Sequence, residues 1–153
     1  MREIRLCDDT KLSKVHQLCE DNGLGIEIQG FYNPNLIGTE ESDKLLSEYK
    51  NALANFKGGK SLHAPFWDLN LGSKNPWVRQ ATMVAYNYAY KVAKELGCTE
   101  IVVHNGFVPN TSFYEGWVRN ATAFWQEFFS DKDDSITICI ENQFENDSEL
   151  IKM

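Results

Sequence analysis

The stretch PWVRQATMVAYNYAYKVAKELG, residues 76–97, runs directly into CTEIVVHNGF, residues 98–107. Its first part places apolar residues three or four positions apart over about four turns, which is the period of a helix with one buried face. Asn75 favours a helix start just before this pattern, and Gly97 favours a stop just after it. The second part is a short β-branched run that reaches His104. The stretch therefore predicts a helix followed by a strand whose end carries a histidine.

The same alternation extends to both sides of this stretch. Short apolar runs, typical of strands, are separated by amphipathic runs, typical of helices. The short runs that predict strands are residues 3–7, 25–31, 60–66, 100–107 and 135–142, and the predicted helices are about 11–22, 42–56, 76–96, 112–129 and from about 147 onward. Such alternation implies a parallel sheet with right-handed crossovers. Two architectures fit, an open doubly wound sheet and a part of a (β/α)₈ barrel, and neither a G-x-G-x-x-G after the first strand nor a P-loop is present.

Composition limits the kind of protein this is. The chain has 153 residues, of which 42% are hydrophobic and 24% charged, and its net charge is −7. We expect one globular domain, residues 1–153. No apolar run is long enough for a membrane helix, and the N-terminus lacks the apolar segment of a secretory signal, so we expect a cytoplasmic protein without a membrane partner. The acidic balance also argues against a nucleic-acid partner.

Three of the five predicted strands end in a residue that can bind a metal. His63 ends the third strand, His104 the fourth and Glu141 the fifth. Neighbouring parallel strands lie about 4.8 Å apart, and active sites of α/β proteins form at the carboxyl ends of such strands. Two imidazoles and a carboxylate suit Zn²⁺, Mn²⁺ or Fe²⁺. A lone strand histidine is more often a core residue, but the repetition on three successive strands indicates a functional cluster.

Other residues near the same rim are candidates for substrate binding. Glu27 lies in the second strand, and two interpretations stay open for it: a carboxylate that orients a ligand or binds substrate, and a buried group paired inside a barrel. Phe66 and Trp67 follow His63 and could wall a substrate pocket or belong to the core. Asn70 lies in the same loop. We take Glu27, Trp67 and Asn70 as the predicted substrate-binding residues.

Several segments together resemble a known group of enzymes. The segments LHAPFWDLNLGS, AKELGC at a helix end, EIVVHNGFVP and ITICIEN follow one another in the chain. Their order is similar to that in the xylose-isomerase-like TIM-barrel superfamily, which contains the sugar phosphate isomerases/epimerases and the endonuclease IV type of AP endonucleases. The resemblance spans about residues 25–149. It implies an α/β fold, a parallel (β/α) barrel of TIM type that is incomplete, with about five βα units of eight from the N-terminal portion.

The resemblance also implies roles for individual residues. His63 matches the histidine of the family segment H-x-P-[FY], His104 that of V-V-H-x-G, and Glu141 the glutamate of the E-N pair. In endonuclease IV-like members the matching residues are zinc ligands, and in epimerase-like members the glutamate is a metal ligand that often also takes part in proton transfer. Glu141 is therefore implied to be catalytic and a metal ligand. His63 and His104 are implied to be metal ligands or parts of the substrate pocket.

The function implied by the resemblance is metal-dependent isomerisation or epimerisation of a sugar or sugar phosphate. The implied cofactor is a divalent metal, Mn²⁺, Zn²⁺, Mg²⁺ or Co²⁺, and the implied partner is a small sugar substrate. Two alternatives stay open, an endonuclease IV-like zinc phosphodiesterase and a non-catalytic fragment. The family pattern continues after the sixth, seventh and eighth strands with metal ligands that the 153 residues do not include. We therefore expect a truncated form with an incomplete site, which need not retain the metal.

An unfinished barrel has consequences for association. Its first and last strands would present unpaired N–H and C=O groups at the two edges. Apolar side chains of the barrel interior would also be uncovered. The sequence therefore predicts self-association through the open barrel edges.

Overall fold

Strands and helices alternate along the part of the chain that the computed structural model describes, residues 3–8, 12–109 and 113–141, with only the backbone at 12 and 13. The strands are β1 Arg5–Cys7, β2 Gly25–Ile28, β3 Lys60–His63, β4 Glu100–His104 and β5 Thr137–Glu141. The helices are α1 Leu12–Asn22, α2 Glu40–Ala52, α3 Pro76–Leu96 and α4 Tyr114–Phe129, with one 3₁₀ turn at Pro34–Leu36. The predicted alternation is confirmed. The helix predicted from about residue 147 lies outside the described residues.

The ends of α3 agree with the chemistry of its flanking residues. The Asn75 side chain accepts a hydrogen bond from the Trp77 amide, which satisfies one of the free N–H groups of the first turn. Gly97 closes the helix with a φ of 67°, in the left-handed region that favours glycine. None of the helices in the described ranges combines the length and the apolar character that a membrane span requires.

The order of the strands distinguishes between the two predicted architectures. All five described strands form one parallel sheet in the order β1-β2-β3-β4-β5. A doubly wound sheet reverses its strand order at a switch point, whereas the strands of a βα barrel follow one another around the axis. The sequential order is therefore that of an incomplete βα barrel. Within the described sheet, β1 and β5 are the edge strands.

The helices cover one face of this sheet. Right-handed crossovers between sequential parallel strands place every helix on the same side. The contacts agree, since α1 packs on α2, α2 on α3 and α3 on α4. The core lies between this helix layer and the sheet, and its buried residues include Ile26, Ile28, Leu62, Ile101, Val103, Ala89, Val92, Trp117, Phe124 and Phe128.

The opposite face of the sheet, which we call the inner face, is mostly polar. The register aligns one row of side chains across all five strands, Cys7, Glu27, Ser61, Glu100 and Thr137. Arg5 on β1 forms an ion pair with Glu100 on β4, and these two residues lie on the same face. The alternation of strand side chains sends Ile26, Ile28 and Val103 to the helix side. Val102 and the exposed Cys7 and Cys139 lie on the inner face, so the expected uncovered apolar side chains are limited to a few positions of the described strands.

Candidate metal centre

The three predicted ligands occupy the last positions of three neighbouring strands. His63 ends β3, His104 ends β4 and Glu141 ends β5. His104 and Glu141 are direct partners in the register of β4 and β5. All three side chains therefore project from the carboxyl edge of the sheet on its inner face, as the strand-end argument predicts.

The ligand atoms of this group converge on one carboxylate oxygen. The Nε2 atom of His63 lies 3.4 Å from Oε2 of Glu141, and the Nε2 atom of His104 lies 3.3 Å from the same oxygen. Two ligands bound about 2.0–2.1 Å from a tetrahedral ion lie roughly 3.3–3.4 Å apart, so these two separations fit a zinc-sized ion. All the ligand atoms lie within 4.8 Å of one another. The donor set of two nitrogens and one oxygen suits Zn²⁺, Co²⁺ or Mn²⁺.

Hydrogen bonding fixes which nitrogen of His63 faces the centre. The Nδ1 atom of His63 lies 2.9 Å from the carbonyl oxygen of Ala64. A carbonyl oxygen can only accept, so Nδ1 carries the proton and donates it. In the neutral imidazole this leaves the lone pair on Nε2, directed at Glu141. Metal-binding histidines commonly have such a hydrogen bond on the other ring nitrogen.

The three candidate ligands differ in their access to solvent. The side chain of His63 is 4% exposed and that of His104 14%, while that of Glu141 is 53% exposed. The two imidazoles therefore form the floor of the site, and the carboxylate lies at its open side. This arrangement leaves room for a substrate to approach from the side of Glu141.

An aromatic wall stands next to the two histidines. The ring of Phe66 lies 5.3 Å from that of His63 and 5.0 Å from that of His104. Tyr32 stacks on Phe66 at 5.7 Å, and Trp67 meets Tyr32 edge-on at 5.2 Å. Trp67 is 44% exposed, so much of its ring is open to solvent beside the metal centre. We define the aromatic wall as Tyr32, Phe66 and Trp67.

Tyr32 belongs to the wall but escaped the sequence prediction. It follows β2 in the segment GFYN, residues 30–33, which lies beyond the carboxyl end of that strand. The rule that places His63 at the rim also places Tyr32 there. The available signal was therefore its position after a strand, and only its contacts reveal that it supports Trp67.

The other two predicted substrate-binding residues have partners within the protein. Glu27 is half-buried on the inner face, and its Oε1 accepts a hydrogen bond from Nε2 of Gln29 at 3.2 Å. Oδ1 of Asn70 accepts from Nε1 of Trp117 at 2.9 Å and from the Gly72 amide at 3.0 Å. Asn70 thus ties the loop after β3 to α4. In the described ranges, neither residue belongs to the group that could hold a metal ion.

A buried carboxylate under the same rim was also missed. Asp8 directly follows β1, is 3% exposed, and accepts hydrogen bonds from the Gln29 amide and the Tyr49 hydroxyl, both at 2.6 Å. Burial, followed by the nearby charge of Asp8, raises the pKa of the Tyr49 phenol well above its ordinary value. Tyr49 therefore stays protonated and donates. These contacts link the carboxyl ends of β1 and β2 to α2.

Comparison with known proteins gives structural likeness without sequence matches. No protein-family model matches the chain, and no curated protein matches it. The TTHB071 protein from Thermus thermophilus, soaked with ZnCl2, superposes with a TM-score of 0.69 and 24% identity over 97% of this chain and 58% of that one. A D-tagatose 3-epimerase-like protein superposes with a TM-score of 0.63 and 22% identity, over 92% of this chain and 53% of that one. Endonuclease IV from Thermus thermophilus superposes with a TM-score of 0.57 and 17% identity, over 92% of this chain and 51% of that one.

These likenesses bear on the fold. The chain spans between 51% and 58% of the length of these three structures. Together with the sequential parallel sheet, they confirm the predicted fold, a parallel βα barrel of TIM type that is incomplete.

Proposed function

We propose that His63, His104 and Glu141 hold a divalent metal ion and that this centre serves the isomerisation or epimerisation of a sugar or sugar phosphate. The observation that carries the proposal is the convergence of two imidazole nitrogens on one carboxylate oxygen at the rim of the sheet. Three protein ligands leave a position open for water or substrate, as catalytic zinc sites do. When bound, the ion supplies Lewis-acid polarisation of a substrate carbonyl or hydroxyl oxygen.

The protein's own residues have distinct proposed parts in this reaction. Glu141 is a metal ligand and, being the most exposed of the three, is also the base that moves the proton next to the substrate carbonyl. His63 and His104 fix the position of the site from its buried side. Trp67 offers an exposed ring face on which the apolar side of a sugar can lie, and Glu27 accepts hydrogen bonds from its hydroxyl groups. Asn70 contributes to substrate binding by fixing the loop after β3 through its hydrogen bonds to Trp117 and Gly72.

The sugar substrate has its support in the comparisons. Two of the similar structures are described as a D-tagatose 3-epimerase-like protein and a xylose isomerase domain protein. Both descriptions name sugars or enzymes of sugar isomerisation. Because the chain spans 53% and 56% of those two chains, the activity of the whole protein is proposed rather than inherited from them.

The first experiment measures metal binding by the 153-residue chain. Titration calorimetry with Zn²⁺, Mn²⁺ and Co²⁺ is expected to give one ion per chain, and His63→Asn is expected to weaken it. Conversion of ketoses is then followed with the preferred metal. Stoichiometric binding with turnover supports the isomerase proposal, and binding without turnover supports the non-catalytic alternative. Absence of any binding by the wild-type chain would sink the metal centre itself.

A zinc phosphodiesterase is the second candidate function. It is favoured by the donor set, since both histidines join the glutamate in one cluster and nitrogen ligands suit zinc. The likeness to endonuclease IV and to a structure soaked with ZnCl2 agrees with this. The test is incubation with DNA that contains an abasic site in the presence of Zn²⁺. Cleavage by the wild-type chain, with none by Glu141→Gln, would favour the phosphodiesterase over the isomerase.

Self-association through the edges β1 and β5 stays part of the proposal. Each edge strand of the described sheet has a neighbour on one side only. Light scattering over a range of concentrations is expected to give a mass above that of one chain. A constant monomer mass at high concentration would contradict it. We also propose a cytoplasmic location, which cell fractionation tests.

A further inference from the structure

A tyrosine of the helix layer contacts the strand that ends in His104. Tyr86 lies on α3, and its hydroxyl donates a hydrogen bond to the main-chain carbonyl oxygen of His104. Tyr86 is 2% exposed, and burial raises the pKa of its phenol well above the ordinary value, so the hydroxyl keeps its proton. We infer that Tyr86 is a positioning residue that holds the end of β4 so that the His104 imidazole faces the metal. This inference rests on the proposed metal centre.

The two histidine ligands are held in different ways. His63 is anchored through its ring, since Nδ1 donates to the Ala64 carbonyl. For His104, the ring hydrogen bond that the structure describes is to Glu141, which is itself a ligand and exposed. The main chain of His104 is paired with β5, and its carbonyl oxygen also accepts the hydrogen bond of Tyr86 from the helix side. We expect the imidazole to lose part of its orientation when the contact with Tyr86 is lost.

The packing around Tyr86 makes it a firm anchor. Its ring contacts Phe124 at 5.7 Å, Trp125 at 5.8 Å and Phe128 at 6.4 Å between ring centres. Close-packed aromatic neighbours restrict the movement of the phenol. Tyr86 lies on the helix side of the sheet, opposite the inner face from which the candidate ligands project. Its effect on the site passes through the strand end.

The same helix offers a matched control. Tyr88 lies two residues further along α3, and its hydroxyl is hydrogen-bonded to that of Ser42 on α2. Each substitution, Tyr86→Phe or Tyr88→Phe, removes one tyrosine hydroxyl and its hydrogen bond. The bond lost in Tyr88→Phe joins α3 to α2 and does not involve β4. Any difference between the two variants in metal binding comes from the contact with His104.

The experiment compares Zn²⁺ affinity in wild type, Tyr86→Phe and Tyr88→Phe by titration calorimetry. All three are measured in one buffer that contains sucrose, which favours the folded state, and circular dichroism checks that each is folded. Loss of an outer contact to a metal ligand typically weakens binding about 10- to 100-fold. We expect a loss of this size for Tyr86→Phe and no change beyond about twofold for Tyr88→Phe. The Co²⁺ absorption spectrum at saturation is expected to change for Tyr86→Phe alone.

The outcomes separate this inference from the proposal on which it rests. If the wild-type chain binds no Zn²⁺, the metal centre fails, and the role of Tyr86 fails with it. If the wild type binds and Tyr86→Phe binds equally well with an unchanged Co²⁺ spectrum, the centre stands and the positioning role is refuted. If both tyrosine variants lose affinity alike, the effect is general destabilisation, which also overturns the role.

Discussion

Replacement of Glu141 by glutamine is the sharpest test of the metal centre. The change keeps the size of the side chain but removes the charge of the oxygen that lies 3.3–3.4 Å from both imidazoles. Loss of an outer contact alone costs about 10- to 100-fold in affinity, so loss of the ligand charge is expected to cost at least about 100-fold. Because the Glu141 side chain is 53% exposed, its replacement should alter the metal-free stability by no more than about 0.5 kcal/mol.

These two expectations translate into thermal stability. At a Zn²⁺ concentration of about 100 times the wild-type dissociation constant, binding stabilises the folded chain by about 2.7 kcal/mol. For a domain of this size, about 1 kcal/mol raises the unfolding midpoint by about 2–4 °C, so the wild type should gain roughly 5–11 °C. The same concentration would only match the weakened dissociation constant of Glu141→Gln. The variant should then gain about 0.4 kcal/mol, or roughly 1–2 °C.

The assay is thermal unfolding followed by circular dichroism with and without Zn²⁺. Glu48→Gln is the matched control, since Glu48 is an exposed glutamate on α2 and the charge change is the same. It should retain the full wild-type gain. An equal gain in wild type and Glu141→Gln would refute the reasoning, because it would place the bound ion away from Glu141.

Three further predictions concern the parts that support the site. Tyr49→Phe leaves the buried carboxylate of Asp8 without one of its donors, and urea denaturation should give a loss of about 1–3 kcal/mol in the free energy of unfolding. Gly106→Ala should destabilise by at least about 1–2 kcal/mol in the same assay, since Gly106 has a φ of 71° and an added Cβ would lie 2.5 Å from a backbone oxygen; a neutral result would contradict the described turn. Burial raises the pKa of the Cys98 thiol to about 12, so little of it is the reactive thiolate at pH 8. Mass spectrometry after iodoacetamide treatment at pH 8 should find Cys98 unmodified and the exposed Cys139 alkylated. Equal labelling of the two cysteines would contradict the described burial of Cys98.

The sequence was sufficient to predict that the three candidate ligands lie at one rim. Apolar runs with period two and helices with period 3.6 are local properties, and so is the position of His63, His104 or Glu141 near the carboxyl end of its run. Because parallel strands have their carboxyl ends at the same edge of the sheet, residues at these positions are expected to lie together. The order of strands in the sheet is not local, which is why the residues alone allowed both a doubly wound sheet and a barrel.

The fourth apolar run is longer than its strand for a definable reason. The run extends to Phe107, whereas β4 ends at His104, as predicted. The side chain of Asn105 accepts a hydrogen bond from the Phe107 amide, and Gly106 adopts a positive φ. These side-chain and backbone effects turn the chain immediately after the ligand. Apolar patterning does not reveal such a turn.

Contacts between distant residues could not be predicted from pattern. Asp8 and Tyr49 are 41 positions apart, and Asn70 and Trp117 are 47 apart. Asn70 was therefore predicted to bind substrate as a polar residue near the rim. In the structure its carboxamide oxygen already accepts two hydrogen bonds from within the protein. No sequence pattern indicated a role for Tyr86. Its hydroxyl reaches the carbonyl oxygen of His104 only because the fold brings the end of β4 next to α3.

The direct pairing of His104 with Glu141 couples the proposed metal site to the alignment of two strands. A slip of β5 by one residue would turn Glu141 to the helix side, and a slip by two would move it about 6.6 Å along the sheet. In either case the two imidazoles would lose their shared oxygen. Bound metal would therefore stabilise the correct register of β5 relative to slipped registers. This effect would be largest for an edge strand such as β5, because hydrogen bonds from only one neighbour in the described sheet hold its register.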